Sequence, residues 1–449
     1  RRKWLLAALL FNLGILSVCK YTNFAIVNVN ALLHFFGRFS GGGAFQLPLV
    51  NILLPLGISF YTFQSLGYLI DVYRGKYPAQ GDLFQYALFV GFFPQLIQGP
   101  ISRYNDLSET MLSPHSFSAA DFSLGMERIL WGYFKKLVIA DRLLPAVNEI
   151  IRNPESYQGA FVFVGMLFYA LELYADFTGG IDITIGIAQA LGIRVQENFI
   201  RPYFSKSVKE YWRRWHISMG TWFTDYIFYP VSVCGPMLSL SKWARKHLGS
   251  FVGKRITVWL SCIIVWFATG VWHGASWNFI VWGLANCAIL LVSQELEPFY
   301  RAFHGKVNHL LMKDHQFIPL EDRAVWKCFQ IVRTVLIMSC LRMFDCYRDV
   351  PLTFKMFASM FARWDFSIFA NGSLLALGLD LPDYALLAFS LLLLITVSLL
   401  QRKGSVRAAI GAKSPAVRFV IWFGLFLAVL VFGAYGQGYD QSQFIYNQF

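Results

Sequence analysis

The sequence predicts an all-α protein that crosses a membrane several times. Of its 449 residues, 56% are hydrophobic and only 14% are charged, whereas soluble domains carry about 25% charged residues. Aromatic residues make up 17% of the chain, and Trp and Tyr favour membrane interfaces. The apolar residues also fall into runs near the roughly 20 residues that a helix needs to cross a bilayer. We therefore expect one membrane-embedded helical unit over residues 1–449.

Each apolar run is a predicted membrane helix. In chain order the runs are 4–19 (continuing toward 29), 45–68, 84–97, 124–147, 160–191, 222–233, 256–272, 277–292, 325–343, 384–400 and 417–435. Pro94 interrupts one run, and irregular backbone at membrane depth survives only where protein or water satisfies it, so we interpret 84–97 as re-entrant. The Asp-Phe-Thr-Gly-Gly motif at 176–180 is expected to break the run 160–191 near its middle.

Polar stretches between these runs predict loops at 38–43, 74–82, 103–121, 242–254, 295–323 and 401–415. The last two are basic, so the positive-inside rule places them in the cytoplasm. No internal repeat and no separate soluble domain is evident. Because Arg1 leads directly into an apolar helix without a signal-peptide cleavage site, we expect native N-terminal membrane residues to be absent from this sequence.

The net charge of +13 indicates a membrane-lipid partner rather than nucleic acid. The Lys and Arg residues lie between apolar runs, where they act as topology signals and contact anionic lipid. The seven cysteines form no CxxC pair and lie mostly in apolar runs, where cysteine behaves as a small hydrophobe. Neither a disulfide framework nor a zinc site is expected.

One imidazole lies in the middle of a long uncharged stretch. The chain carries no formal charge from Ile256 to Gln294, nearly twice the roughly 20 residues of one crossing, and His273 lies near its centre. Ionisable groups inside membrane segments are costly and are therefore often functional. The alternative is a helical hairpin whose tip places His273 at the lipid–water interface. The residues alone leave both interpretations open.

Residues 205–225 form the densest polar cluster. Helical spacing places Tyr211, Trp215 and Trp222 near one stripe and Lys209, Arg213 and His216 near another. One interpretation is an amphipathic helix lying in the interface and anchored by Arg and Trp. The other is a basic funnel for an anionic donor, in which Arg213 and Arg214 bind phosphate by forked hydrogen bonds.

Two histidines in one site would suit acyl transfer. If His216 and His273 meet in space, one can remove a proton from a hydroxyl while the other orients or polarises the acyl group. No GxSxG elbow and no HExxH pattern occurs, so serine hydrolases and zinc proteases lack support. The remaining histidines are expected to be solvated: His34, His115, His247, His304, His309 and His315.

Three carboxylates lie within the apolar run 160–191: Glu172, Asp176 and Asp182. Intramembrane carboxylates can form a proton or cation path, as in a transporter. The favoured interpretation is buried hydrogen bonding that fixes a kink in the helix.

Six motifs in order make the sequence resemble the membrane-bound O-acyltransferase superfamily. They are PLGISFYTFQ (55–64), FFPQLIQGPI (92–101), YADFTG (174–179), ENF (197–199), EYWRRWHIS (210–218) and WHGASW (272–277). The sequence looks most like the bacterial branch that contains the alginate O-acetylation membrane protein, and the ending FIYNQF (444–449) is similar too. A teichoic-acid D-alanylation relative ranks second, because its proline motif differs from residues 94–100.

The resemblance implies a helical bundle with re-entrant segments around a central tunnel, in the bacterial cytoplasmic membrane. It implies a catalytic core segment at 196–277 in which His273 is the catalytic histidine and His216 is the second family histidine. Substrate binding would fall to the motif residues Gln95, Asp176, Asn198, Arg213, Arg214, Trp215 and Trp272. The donor would be a cytoplasmic thioester, acetyl-CoA or an acyl carrier protein, with no bound cofactor and no metal. An exported hydrolase-like acetyltransferase would complete transfer to a cell-wall or secreted polysaccharide.

The segment 338–348 departs from the family pattern. Asp345 and Cys346 replace part of an aromatic Trp-x-Phe-Phe-Arg-like motif, which leaves the acceptor open. The hypothesis is therefore a membrane O-acyltransferase, with acetyl as the expected group. The alternatives are D-alanyl transfer to teichoic acid, a transporter or flippase that uses the intramembrane carboxylates, and a scaffold for an export complex.

Overall fold

The computed structural model describes residues 1–40, 45–312 and 318–435, with the side chains of 38–40 excepted. Within these ranges the chain forms helices and no strand, apart from one isolated bridge between Phe199 and Trp215. The helices are α1 (Arg2–Ser40), α2 (Ile58–Tyr73), α3 (Leu83–Val90), α4 (Tyr104–Met111), α5 (Ala119–Tyr133), α6 (Asp141–Arg152), α7 (Ala160–Ala190), α8 (Val208–Arg214), α9 (Ile217–Phe223), α10 (Tyr229–Ser232), α11 (Gly235–His247), α12 (Gly249–His273), α13 (Trp277–Glu295), α14 (Glu297–Leu311), α15 (Ala324–Tyr347), α16 (Val350–Ala362), α17 (Leu381–Leu400), α18 (Val406–Gly411) and α19 (Pro415–Phe432).

Seven of the described helices are long and apolar enough to cross a bilayer: α1, α7, α12, α13, α15, α17 and α19. This confirms the predicted all-α, multi-pass membrane fold. The outer helices expose most of their apolar surface, and α19 buries none of its residues. The helix α7 is the most buried of the seven, so it forms the centre of the bundle.

The predicted break in α7 is wrong. The helix runs without interruption through residues 176–180, because the glycines there serve close packing. A Cβ atom on Gly179 would lie 2.8 Å from the carbonyl oxygen of Gly132 on α5, and one on Gly132 would lie 2.6 Å from that of Gly179. Two helical turns away, Gly125 of α5 and Gly186 of α7 approach each other in the same way. Small residues thus bring the α5 and α7 backbones together.

Charged side chains line the same contact. Between α5 and α6 a π-helical segment, Phe134–Ala140, carries two lysines toward α7. Lys136 pairs with Asp176 at 2.6 Å and with Asp141 at 2.8 Å, and Lys135 pairs with Asp182 at 2.6 Å. We call the glycine contacts and ion pairs between residues 125–141 and 176–186 the ionic seam. It gives the carboxylates of Asp176 and Asp182 buried cationic partners within an uninterrupted helix.

Several predicted boundaries were also wrong. The run 45–68 is helical only from Ile58, since Pro48 and Pro55 lack an amide donor and Gly57 has a left-handed backbone (φ 73°). The run 84–97 is a short helix that ends before Pro94, in keeping with its predicted interruption.

Four predicted loops contain helices instead. Residues 103–121 hold α4, 242–254 lie within α11 and α12, 295–323 hold α14, and 401–415 hold α18. Polar composition misled the prediction, because a helix with one solvated face is also rich in charge.

Candidate active site

The helical spacing considered for residues 205–225 does not run through the whole cluster, because two short helices form there with His216 between them. Helix α8 ends at Arg214 and α9 begins at Ile217. The chain at Trp215 pairs with the segment at Phe199, since Ile200 N–H donates to Arg214 O (2.9 Å) and Ile217 N–H donates to Asn198 O (3.0 Å). His216 has a left-handed backbone (φ 49°, ψ 53°), which costs a non-glycine residue about 1–2 kcal/mol. Such strain is typical of functional sites.

Asn198 fixes the tautomer of His216. Its Oδ1 accepts from the Ser218 backbone N–H (2.9 Å), so its Nδ2 must be the atom that donates to His216 Nδ1 at 3.3 Å. His216 Nδ1 is then an acceptor, and the ring proton is on Nε2. Burial and the positive charge of Arg342 lower the pKa of His216 to about 3. His216 is therefore a neutral imidazole at physiological pH.

His273 is the last residue of α12, at the tip of the α12–α13 hairpin. The alternative of a helical hairpin correctly predicted a turn at His273. The tip of this hairpin, however, packs against other parts of the protein. Lys20 and Tyr21 of α1 donate to the carbonyl oxygens of Trp272 (2.5 Å) and Val271 (2.9 Å). The turn at Gly274 is tight, because a Cβ atom there would meet the Phe279 ring at 2.2 Å.

The two histidines meet at one indole ring. The Trp272 ring contacts His216 at 6.0 Å and His273 at 5.0 Å between ring centroids. The His273 ring also contacts Trp282 at 4.8 Å. His273 Nε2 is buried and has no hydrogen-bond partner among the described residues. We call His216, Trp272, His273 and Trp282 the histidine site.

The other predicted site residues divide into two groups. Asn198 and Gln95 are buried close to the site: Gln95 donates to Ser102 Oγ (2.6 Å), and neighbouring Ile101 N–H donates to Ser218 Oγ (2.9 Å). Asp176 is also fully buried, but its ion partner is Lys136 in the ionic seam.

The two arginines of the polar cluster point to different environments. Arg213 is exposed. Arg214 pairs with Glu210 at 2.6 Å and donates to the Arg201 carbonyl oxygen. Trp215 is a core residue, stacked on Tyr211 at 5.5 Å and in edge contact with Phe199 at 5.0 Å. Arg213 and Arg214 are therefore neighbours in sequence, but their side chains lie in different environments.

Sequence reasoning missed Arg342. It lies in the apolar helix α15, is buried, and places its guanidinium over the rings of Trp215 (5.0 Å), Trp282 (5.2 Å) and Trp212 (5.9 Å). Its nearest carboxylate is Asp345 at 3.8 Å. An arginine within an apolar run is itself a functional signal, and that signal was available in the sequence.

The remaining histidines lie away from this site. His34, His115, His247 and His309 are exposed, as predicted, while His304 is half-buried against Trp326. His315 and the ending 444–449 lie outside the described residues. No group of three metal-ligating side chains occurs in the described part of the chain.

Comparison with known proteins places the geometry in context. The model of the membrane-bound O-acyltransferase family matches residues 79–310. A probable alginate O-acetylase of Azotobacter vinelandii is 36% identical over 295 residues, which cover 66% of this chain and 54% of that protein. A peptidoglycan O-acetyltransferase of Helicobacter pylori is 30% identical (69% and 59% covered), and a teichoic acid D-alanyltransferase of Bacillus subtilis is 26% identical (57% and 63% covered). The chain spans about half the length of the curated relatives it matches.

Proposed function

This chain belongs to the membrane-bound O-acyltransferase family, and from that premise we propose that it passes an acetyl group from a cytoplasmic thioester to a hydroxyl of an extracytoplasmic polysaccharide. The observation that carries the proposal is the unpartnered Nε2 of His273, which shares the Trp272 ring with a neutral His216. Buried polar atoms normally have partners, so an orphaned imidazole nitrogen in a dry site is suited to a substrate hydroxyl.

In the proposed reaction His273 is the general base. Its Nε2 takes the proton of the attacking hydroxyl as the oxygen bonds to the thioester carbonyl carbon. The carbon–sulfur bond then breaks, and the same proton passes from His273 to the leaving thiolate, so that the products are an ester and a thiol. General base catalysis of this kind contributes about 10²–10⁴-fold in rate.

His216 has a supporting role in this proposal. With its proton on Nε2, it can donate a hydrogen bond to the thioester carbonyl oxygen, where negative charge develops. Asn198 holds that tautomer, and the Trp272 ring contacts both imidazoles. Exclusion of water by the aromatic side chains would protect the thioester from hydrolysis.

The surrounding roles follow from charge and exposure. Arg213 is exposed and is proposed to hold the phosphates of acetyl-CoA or of an acyl carrier protein. Arg214 can bind phosphate only after its ion pair with Glu210 breaks. An exported hydrolase-like acetyltransferase is the proposed partner that completes transfer. Acetyl is favoured over D-alanyl because the acetylase relatives are the more similar ones.

The test is thiol release from acetyl-CoA by the purified protein, supplied with a polysaccharide acceptor and the exported partner. His273→Ala is expected to lower the rate by about 10²–10⁴-fold, and His216→Ala by less. The matched control is His247→Ala on the exposed face of α11, which is expected to keep the wild-type rate. Full activity of folded His273→Ala would refute the assignment.

The transporter alternative makes an opposite prediction. It requires solute flux in proteoliposomes without thioester consumption, and loss of that flux in Asp176→Asn and Asp182→Asn. The acyltransferase requires stoichiometric thiol release. Measuring both in one preparation separates the two classes.

A further inference from the structure

A second site lies away from the histidines. A cavity of about 710 Å³ occupies the space between α5, α7 and the C-terminal helices α17 to α19. Neither histidine lines it. Phe199 forms part of its wall, and Phe177 lies between Phe199 (4.8 Å) and His216 (5.0 Å). The volume is within the range of sites that hold small ligands.

One wall of this cavity is apolar and belongs to membrane-facing helices. Leu393 and Val397 of α17 and Leu425 and Ala428 of α19 line it, and both helices are long and apolar enough to span the bilayer. An apolar wall on the outside of the bundle suits a hydrocarbon chain supplied by the membrane.

The opposite wall is charged, but most of its charges neutralise each other. Arg128 binds Glu197 through two hydrogen bonds of 2.6 Å and Asp182 through one of 2.8 Å. Lys135 binds the other oxygen of Asp182. These four groups need no further counter-ion.

Two arginines of the lining form no salt bridge with a carboxylate in the described part of the chain. Arg407 donates only to neutral acceptors, the Leu124 carbonyl oxygen (2.6 Å) and Gln189 Oε1 (3.0 Å). Arg201 forms no ion pair within the described ranges, and its backbone is left-handed (φ 48°). Burial lowers the pKa of Arg201, as do the positive charges of Arg214 and Arg402. Burial and neighbouring Arg128 lower the pKa of Arg407, while the more distant carboxylates of Asp182, Glu197 and Glu127 act in the opposite direction. A bound anion would offset the positive charge around each of these guanidinium groups.

These charges lie where the chain leaves the membrane. Gln401, Ser405 and Arg407 of the lining belong to the basic connection that follows the end of α17 at Leu400. By the positive-inside rule this connection faces the cytoplasm. The charged end of the cavity is then at the depth of lipid headgroups, and the apolar wall is at the depth of their acyl chains.

We propose that this cavity binds one anionic phospholipid of the cytoplasmic leaflet, with its phosphate between Arg201 and Arg407 and an acyl chain along α17 and α19. The indole Nε1 of Trp422 also lines the cavity and has no partner among the described residues, so it supplies a further donor to the lipid ester oxygens. The site does not depend on the proposed acyl transfer.

The experiment is native mass spectrometry of the purified full chain, titrated with phosphatidylglycerol or with phosphatidylcholine of the same acyl chains. The wild-type protein is expected to retain one phosphatidylglycerol and to bind phosphatidylcholine at least fivefold more weakly. Each of Arg201→Gln and Arg407→Gln is expected to weaken phosphatidylglycerol binding about fivefold, as one cationic contact to an anionic lipid does. Arg301→Gln, on the exposed face of α14, is the matched control and should bind as the wild type does.

A second pair of variants tests the chain-binding wall. Ala428→Phe fills the cavity and is expected to lower binding of both lipids, whereas Ala416→Phe, exposed at the start of α19, should leave binding unchanged. Equal retention of the two lipids by the wild-type protein would overturn the proposal without any variant. So would arginine variants that bind phosphatidylglycerol no more weakly than Arg301→Gln does. Displacement of bound lipid by equimolar coenzyme A would also overturn it, because the cavity would then belong to the thioester donor. Since the readout is binding, failure here leaves the acyl-transfer proposal untouched.

Discussion

The ionic seam and the histidine site are both buried polar regions, yet they treat their polar atoms in opposite ways. In the seam the carboxylates of Asp176 and Asp182 each have a cation within 2.6 Å. In the histidine site the Nε2 of His273 and the Nε1 atoms of Trp272 and Trp282 have no hydrogen-bond partner among the described residues. An unsatisfied buried polar group costs about 1–3 kcal/mol. The ion pairs of the seam avoid this cost for Asp176 and Asp182. In the histidine site the unpartnered atoms are those that the proposed substrate would contact.

The largest expected effect comes from comparing a variant of the ionic seam with a variant of the histidine site. Lys136→Met leaves Asp176 and Asp141 buried without their shared cation, which is expected to cost about 3–5 kcal/mol in unfolding free energy. His273→Ala should leave the unfolding temperature near the wild-type value while abolishing most activity. Thermal unfolding in detergent measures both. Lys355→Met, which removes an exposed ion pair with Glu155, is the control and should not shift the unfolding temperature. A Lys136→Met protein as stable as the wild type would refute the structural role of the seam.

The glycine contacts give the next largest effect. Gly132→Ala places a Cβ atom 2.6 Å from the Gly179 carbonyl oxygen, and overpacking of this kind costs about 1–3 kcal/mol. Gly424→Ala in α19 meets open space and is expected to be neutral or slightly stabilising, because alanine favours helices more than glycine does. Equal unfolding temperatures for the two variants would mean that α5 and α7 are free to separate.

The neutral state of His216 predicts a pH dependence. Its pKa is about 3 in the folded protein and near 6.5 when unfolded, so the unfolded chain binds the extra proton between these values. The contribution of neutral His216 to the free energy of unfolding is therefore fully present above pH 6.5. It decreases as the pH falls, by about 2 kcal/mol at pH 5. His216→Asn keeps an amide in the left-handed conformation but does not titrate. Its unfolding temperature should fall less between pH 7.5 and pH 5 than that of the wild type; parallel falls would contradict a neutral His216.

The smallest expected effect concerns the exposed edge of the site. Arg213→Gln should raise the KM for the thioester donor about fivefold, the loss of one charged phosphate contact, with kcat unchanged. Steady-state kinetics with acetyl-CoA measure this. Lys246→Gln on α11 removes an equal charge elsewhere and should leave the KM unchanged. An unaltered KM in Arg213→Gln would move the donor site away from this helix.

Particular elements show how far the sequence could be read. The charge-free hairpin around His273 was predicted with its turn in the right place, because apolar length and the Gly-Ala-Ser break are local signals. The glycines at 179 and 180 were misread as a helix break, since Gly179 packs against the α5 backbone and Gly180 against the Gln98 side chain. The stripes assigned to residues 205–225 were wrong, because α8 ends at Arg214, where the chain pairs with Asn198 and Ile200 before α9 begins. The aromatic partners of Arg342 come from α8, from the α8–α9 junction and from α13, so only the tertiary structure identifies them.

The sequence by itself determined that the chain is an all-α membrane protein, which family it resembles and which two histidines are the candidate site residues. Composition and ordered motifs carry that information, since hydrophobicity and local spacing are properties of the chain alone. Only the tertiary structure decided that Trp272 contacts both His216 and His273, and that Asp176 and Asp182 are paired with cations. It also decided that Arg201 and Arg407 form no salt bridge within the described ranges. Those facts depend on which side chains meet across helices far apart in the chain, and no local pattern specifies such a meeting.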